Sequence, residues 1–342
     1  MAKSIYYLTG APFLCTGYAQ RGKASPRHKG PSSFISFSLI IALLLGSGTV
    51  IAVPCPAAHY VFCRSDGTDL PPPPEGNGTI ESVGQSCRVE RKQFFSKACS
   101  SPMAYYAFVP SPCGKAARYP VLYLLHGILD SYAGWKEHAG NTICRLASNC
   151  GIVIVTPEGR SFGWYTDSRL VENNQVETYF IKELIPHVEK NFPTSRLRGI
   201  AGLSMGGHGA FVLSLRNPGV FSSVSSMSGI LDITRHTRNW HLPELFGPCE
   251  GKFAADWDEH SALRLIEHSQ VYIRSLPMLI TVSTDDPFAL DDNRLVHEQL
   301  QKMDVDHIYI ESPGRHDWTY WKAQLPVHVS FHARHLCKTT KN

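Results

Sequence analysis

Ser204 stands in Gly202-Leu203-Ser204-Met205-Gly206, a G-x-S-x-G pentapeptide between a short apolar segment, 197–201, and a helical pattern over 210–215. A turn of this kind between strand and helix holds its serine on a strained backbone, with the hydroxyl exposed above a sheet. Glycines are required there because side chains would collide with the neighbouring strand and helix. Met205, next in the chain, falls at a helix N-terminus, where its backbone N–H can stabilise an oxyanion. The chemistry implied is acyl transfer through a serine nucleophile.

Serine is a poor nucleophile unless a base takes its proton, so Ser204 needs a histidine and a group to orient it. In a strand–helix alternating chain the expected order is Ser, then Asp or Glu, then His, each following a later strand. The segment 276–283 leads into Thr284-Asp285-Asp286-Pro287-Phe288, and the segment 307–311 leads into Ser312-Pro313-Gly314-Arg315-His316-Asp317-Trp318. His316 is the candidate base, its competing role being a cap on the helix that starts near Asp317. Asp285 and Asp286 are both candidate acids, with Asp232 a third; strand geometry leaves the choice open, and turn formation before Pro287 would also explain the pair. A second oxyanion donor is expected from Leu124-Leu125-His126-Gly127-Ile128, where a strand running into His-Gly brings the N–H of Ile128 opposite Met205. His126 is read as a structural residue that fixes this loop.

These residues need a sheet whose strand ends share one edge. Strands are expected at 86–95, 104–109, 121–125, 152–156, 199–203, 223–228, 278–283 and 307–311, and helices at 174–191, 209–217, 292–303 and 317–335. The nearly continuous apolar runs 121–125 and 152–155 suit central strands covered on both faces. The order predicts an α/β fold, a mostly parallel central sheet flanked by helices and preceded by antiparallel strands. Residues 247–271 interrupt the alternation and are expected to form a cap over the site.

The chain has 342 residues, 43% hydrophobic and 18% charged, with a formal charge of +4. Residues 1–52 hold five basic and no acidic residues, and removing those five charges from +4 leaves −1. The body therefore offers no electrostatic ground for nucleic-acid binding. The segments expected are a basic tail (1–33), a signal peptide or signal anchor (34–53), a proline-rich linker (54–83), the catalytic domain (84–337) and a short tail (338–342). The uncharged run 34–53 behind a basic tail implies export, either secreted or anchored with the body on the extracytoplasmic side. Nine of ten cysteines follow Ala52, and an oxidising compartment would convert most of them to disulfides, the local pair Cys144–Cys150 being the one expected link. No C-x-x-C pattern points to zinc. His328, His332 and His335 share one helix face, read as solvated rather than metal-binding.

The segments 124–128, 202–210, 284–288 and 314–321 together resemble the esterase D-type branch of the α/β-hydrolases, which includes feruloyl and acetyl-xylan esterases, S-formylglutathione hydrolases and mycolyltransferases. The resemblance covers roughly 100–337. It implies an α/β-hydrolase fold, a serine carboxylesterase acting through an acyl-enzyme, and a Ser204–His316–Asp286 triad, since the family's Asp-Asp-x-Phe turn places the acid at Asp286. The resemblance implies no metal and no organic cofactor, and a small-molecule or polysaccharide-linked ester as substrate. The segment 164–168 resembles a family stretch bordering the site, so Trp164 and Tyr165, with Trp135, are candidate pocket residues. Leu129-Asp130 departs from the Thr-Cys pair of the formylglutathione hydrolases, which weighs against a glutathione thioester. Two alternatives share the sequence: an acyltransferase of the mycolyltransferase type, and a non-catalytic binding module on a hydrolase scaffold.

Overall fold

The computed structural model describes residues 87–110, 118–268 and 272–336, with the backbone of two short strands, β1 (Ile40–Leu45) and β2 (Thr49–Pro54), paired antiparallel. Most of the expected tail, anchor and linker lies outside the described residues. Among the described residues, no helix is long and apolar enough to cross a membrane.

From residue 88 the elements alternate. The chain forms β3 (Arg88–Ser96), β4 (Ser101–Val109), β5 (Tyr119–Leu125), α1 (Gly134–Cys150) and β6 (Val153–Pro157). Next comes α2 (Val176–Thr178), running through a π-helical stretch, Tyr179–Leu184, into α3 (Ile185–Asn191). Then follow β7 (Thr194–Leu203), α4 (Met205–Arg216), β8 (Ser223–Met227), α5 (Leu242–Phe246), α6 (Ala254–Asp258) and α7 (Ala262–His268). The last elements are β9 (Met278–Ser283), α8 (Leu290–Lys302), β10 (Ile308–Ser312) and α9 (Trp318–Leu336).

Eight strands make one sheet in the order β10-β9-β8-β7-β5-β6-β4-β3. β3–β4 and β4–β6 pair antiparallel and the remaining pairs are parallel. Alternation along β5 sends Leu122 and Leu124 into a core with Trp135, Ile143, Leu325 and Val329 of α1 and α9. Val121, Tyr123 and Leu125 face the opposite core, with Phe180 and Phe211. Both faces are thus covered, which is why β5 reads as an unbroken apolar run. After β5 the chain pairs β6 on one side, then crosses to place β7 on the other. A crevice opens at such a reversal, beyond the carboxyl ends of β5 and β7, and it is where ligands bind in open α/β sheets.

Three expectations need correction. The link to Cys144 comes from Cys87, with an S–S bond of 2.02 Å that ties the start of β3 to α1. Cys144 and Cys150 lie on one helix, about 9 Å apart along its axis and on different faces, so they cannot bond to each other. Cys99 is a buried thiol. The second correction concerns α9: His328 and His332 are fully buried rather than solvated. His332 is bridged to Ser223 (2.7 Å) and Ser225 (2.8 Å), and His328 to Ser225 (2.8 Å) and Thr281 (3.0 Å). This polar ladder joins α9 to β8 and β9. Third, the described part of the 247–271 region, 247–268, supplies helices to the layer beside the sheet, α7 packing between α4 and α8. The stretch before α5, which carries Trp240, is what reaches the site.

Candidate active site

Ser204 caps β7 with φ 52° and ψ −120°, a backbone conformation that costs a non-glycine residue about 1–3 kcal/mol. The sequence permits it through the two flanking glycines. A Cβ on Gly202 would lie 2.3 Å from the backbone of Gly206, and one on Gly206 would lie 2.6 Å from the carbonyl oxygens of Leu125 and His126. The close approach sets the loop after β5 directly on the N-terminus of α4. Ser204 is 7% exposed.

The structure brings Ser204, His316 and Asp286 together from three separate strand ends. His316 Nε2 lies 2.9 Å from Ser204 Oγ, and His316 Nδ1 lies 2.8 Å from Asp286 Oδ2. With Nδ1–H donating to the carboxylate, Nε2 is left to accept from the hydroxyl. The second carboxylate oxygen of Asp286 accepts from the N–H groups of Phe288 (3.0 Å) and Ala289 (2.9 Å). Burial pushes the Asp286 carboxyl up, but the His316 hydrogen bond and charge and these two N–H groups outweigh it and hold it below the ordinary carboxylate value.

Asp285, the neighbouring candidate, is exposed. Asp232 is buried and committed elsewhere: one of its oxygens accepts from Thr234 N, Thr234 Oγ1 and Ser261 Oγ. The capping alternative for His316 is taken by Asp317, whose carboxylate accepts from Thr319 N (2.9 Å) and Tyr320 N (3.1 Å).

Beside the serine, Met205 is the first residue of α4, so its N–H has no acceptor within the helix. Ile128 follows Gly127, whose own Cα is so close to the serine turn that an added Cβ would lie 3.4 Å from Ser204 Cβ. His126 is locked to backbone on both ring nitrogens: Nε2 accepts from Gly159 N (2.9 Å), leaving Nδ1 to donate to Gly127 O (2.8 Å). Leu129 is 76% exposed with φ 61°, and its N–H donates to Ser161 O at 3.0 Å. A cavity of about 460 Å³ opens among Arg91, Tyr132, Glu158 and Arg160; no member of the triad lines it.

The three aromatic residues expected to line a pocket are instead fully buried supports. Trp135 Nε1 donates to Leu125 O at 2.9 Å, Trp164 Nε1 to Trp240 O at 3.1 Å, and Tyr165 Oη to His126 O at 3.1 Å. Each spends its polar atom on a backbone carbonyl, of the last residue of β5 or of a loop beside the site, and none presents surface to a ligand. Exposed aromatic surface at the site is offered by Phe288, whose ring centroid is 5.3 Å from that of His316, with Trp240 6.0 Å from Phe288. Phe288 is 47% exposed. Its signal in the sequence was its place in the Asp-Asp-Pro-Phe turn, beside the acid.

The family described as "Putative esterase" matches residues 96–332. The chain belongs to this family. An acetyl esterase of Caldicellulosiruptor saccharolyticus is 26% identical over 222 residues, 60% of this chain and 79% of that protein. Among solved structures, a ferulic acid esterase superposes with a TM-score of 0.64 at 28% identity, over 74% of this chain and all of that one. An S-formylglutathione hydrolase from Agrobacterium tumefaciens gives 0.65 at 24% identity, over 75% of this chain and 98% of that one, a likeness of fold. The fold is that of an α/β-hydrolase, and the protein is an enzyme of the carboxylesterase class.

Proposed function

We propose that the protein hydrolyses carboxylic esters by acyl-enzyme chemistry, with Ser204 as nucleophile, His316 as general base and acid, and Asp286 as the group that orients and stabilises the imidazolium. The observation that carries this reading is the unbroken Ser204–His316–Asp286 hydrogen-bond chain, 2.9 and 2.8 Å in its two links. Ser204 Oγ attacks the ester carbonyl as its proton passes to His316 Nε2. The carbonyl oxygen, now negative, turns toward the N–H groups of Ile128 and Met205, and one such donor stabilises the transition state by about 3–4 kcal/mol. His316 then protonates the alkoxide oxygen as the C–O bond breaks, and the alcohol leaves. Water, deprotonated by the same nitrogen, attacks the acyl-serine and restores the hydroxyl.

The acetyl esterase and ferulic acid esterase relatives support acetyl or aromatic acyl groups on a small molecule or a polysaccharide as the substrate class. The reading extends to export: the Cys87–Cys144 disulfide and the apolar segment behind a basic tail both support an oxidising, extracytoplasmic location. The test is turnover of p-nitrophenyl esters from acetate to palmitate, with methyl ferulate, by the full chain and its Ser204→Ala variant. Serine-dependent hydrolysis with a preference for one acyl class is expected; equal rates from the variant would remove this mechanism.

A further inference from the structure

Two aromatic rings of unlike exposure meet the His316 imidazole edge-to-face. The ring of Trp321, 7% exposed, lies at a centroid distance of 5.1 Å and 86°. Phe288 lies at 5.3 Å and 79° but is 47% exposed. Phe288 is nevertheless firmly placed, since its backbone N–H is bonded to the Asp286 carboxylate. Trp240 backs it at 6.0 Å, and the Trp240 carbonyl is in turn held by the indole N–H of the buried Trp164. Trp240 sits at φ 54°, a left-handed conformation that this bond helps to retain.

If the site works as proposed above, the leaving oxygen must come within hydrogen-bond reach of His316 Nε2, about 2.6–3.2 Å, to receive its proton. A substituent on that oxygen then meets the groups flanking the imidazole. Trp321 is buried and Phe288 is 47% exposed, so of these two rings it is Phe288 that offers surface to that substituent. We propose that Phe288, backed by Trp240, forms the subsite for the alcohol half of the ester and favours an alcohol with a flat apolar face, aryl or sugar ring, over a small alkyl alcohol. A half-exposed aromatic ring held rigid at both backbone and edge can stack on such a face without first being ordered.

The experiment keeps the acyl group constant and varies the alcohol. Ethyl, cyclohexylmethyl and benzyl acetates and 6-O-acetylglucose all release primary alcohols, so differences among them report contacts more than leaving-group chemistry. The full chain is expected to favour the ring-bearing acetates over ethyl acetate in kcat/KM. Phe288→Ala is expected to cut that preference by about tenfold, and Phe288→Trp to retain it. The ratio of ethyl acetate to ethyl butyrate is expected to stay the same in both variants. Benzyl and cyclohexylmethyl falling together with the sugar ester would identify a general ring face, and a fall in benzyl alone an aryl site. An alcohol preference untouched by Phe288→Ala overturns the proposal, as does a shift in the acyl ratio in its place. Absence of Ser204-dependent turnover, with no labelling of Ser204 by a fluorophosphonate, would instead remove the esterase mechanism on which the proposal rests.

Discussion

Tyr165 Oη donates a 3.1 Å hydrogen bond to the carbonyl oxygen of His126, the residue two before Ile128. The tyrosine is fully buried and lies against Gly209 of α4, so it ties the loop after β5 to the helix that begins at Met205. The two proposed oxyanion donors are thus held on one frame. Its surroundings raise the Tyr165 pKa well above the ordinary phenol value, chiefly through burial, and it stays a donor at any working pH.

Tyr165→Phe keeps the packing and deletes that bond. The expected result is kcat lowered by roughly tenfold with KM little changed, and a stability loss of about 1 kcal/mol. Steady-state kinetics and a urea titration check both parts. A change confined to stability would mean that the bond does not position the loop for catalysis.

Asp286→Asn should lower kcat by about 10⁴-fold at neutral pH, because the amide can hold the imidazole in the wrong tautomer. Asp285→Asn, at an exposed position beside the acid that His316 Nδ1 is bonded to, should leave kcat within about twofold of the parent. Parallel kinetics on the two variants decide which acid serves.

The buried histidines of α9 link stability to pH. Burial lowers His328 from 6.5 to about 3 and takes His332 well below its ordinary value, with His328 and His335 adding repulsion at His332. The folded protein therefore binds protons at these rings less tightly than the unfolded chain. Their contribution is fully present above pH 6.5 and is lost as pH falls from there toward about 3. His208, lowered to about 3, and His260 and His297, each lowered to about 4, act in the same direction. Urea midpoints should fall between pH 7 and about pH 4.5, and His328→Gln should flatten that fall while lowering stability at pH 7. An unchanged slope in the variant would contradict the assignment.

Much of the site was legible because its chemistry needs fixed local grammar. The glycines around Ser204, the Asp-Asp-Pro-Phe turn and the Gly-Arg-His-Asp turn each sit just past an apolar strand pattern. What escaped depends on contacts between distant segments. Helix α1 went unseen although Trp135, Ala139, Ile143 and Leu146 are spaced for one buried face, because Gly134, Gly140, Asn141 and Asn149 weaken its helical signature. His328 and His332 read as a solvated face because nothing local in α9 reveals the serines of β8 that receive them. Trp164 and Tyr165 read as walls of a pocket, whereas both are buried, since a sequence does not tell an aromatic ring that faces a ligand from one that holds a loop beneath it.

The Cys87–Cys144 bond closes a sequence separation of 57 residues. Chain-entropy reasoning gives a stabilisation of about 4 kcal/mol for a loop of that size. Replacing both cysteines by serine should lower the urea midpoint accordingly, and adding reductant to the variant should do nothing further through this bond.

The most direct test of the account is to trap the nucleophile. The full chain and Ser204→Ala would be treated with a fluorophosphonate, digested and mapped by mass, and assayed with p-nitrophenyl acetate. One adduct on Ser204, loss of turnover on labelling, and a fall of about 10⁴-fold or more in the folded variant are the results expected. An adduct on another residue, or turnover that survives Ser204→Ala undiminished, would contradict the assignment of Ser204 as nucleophile.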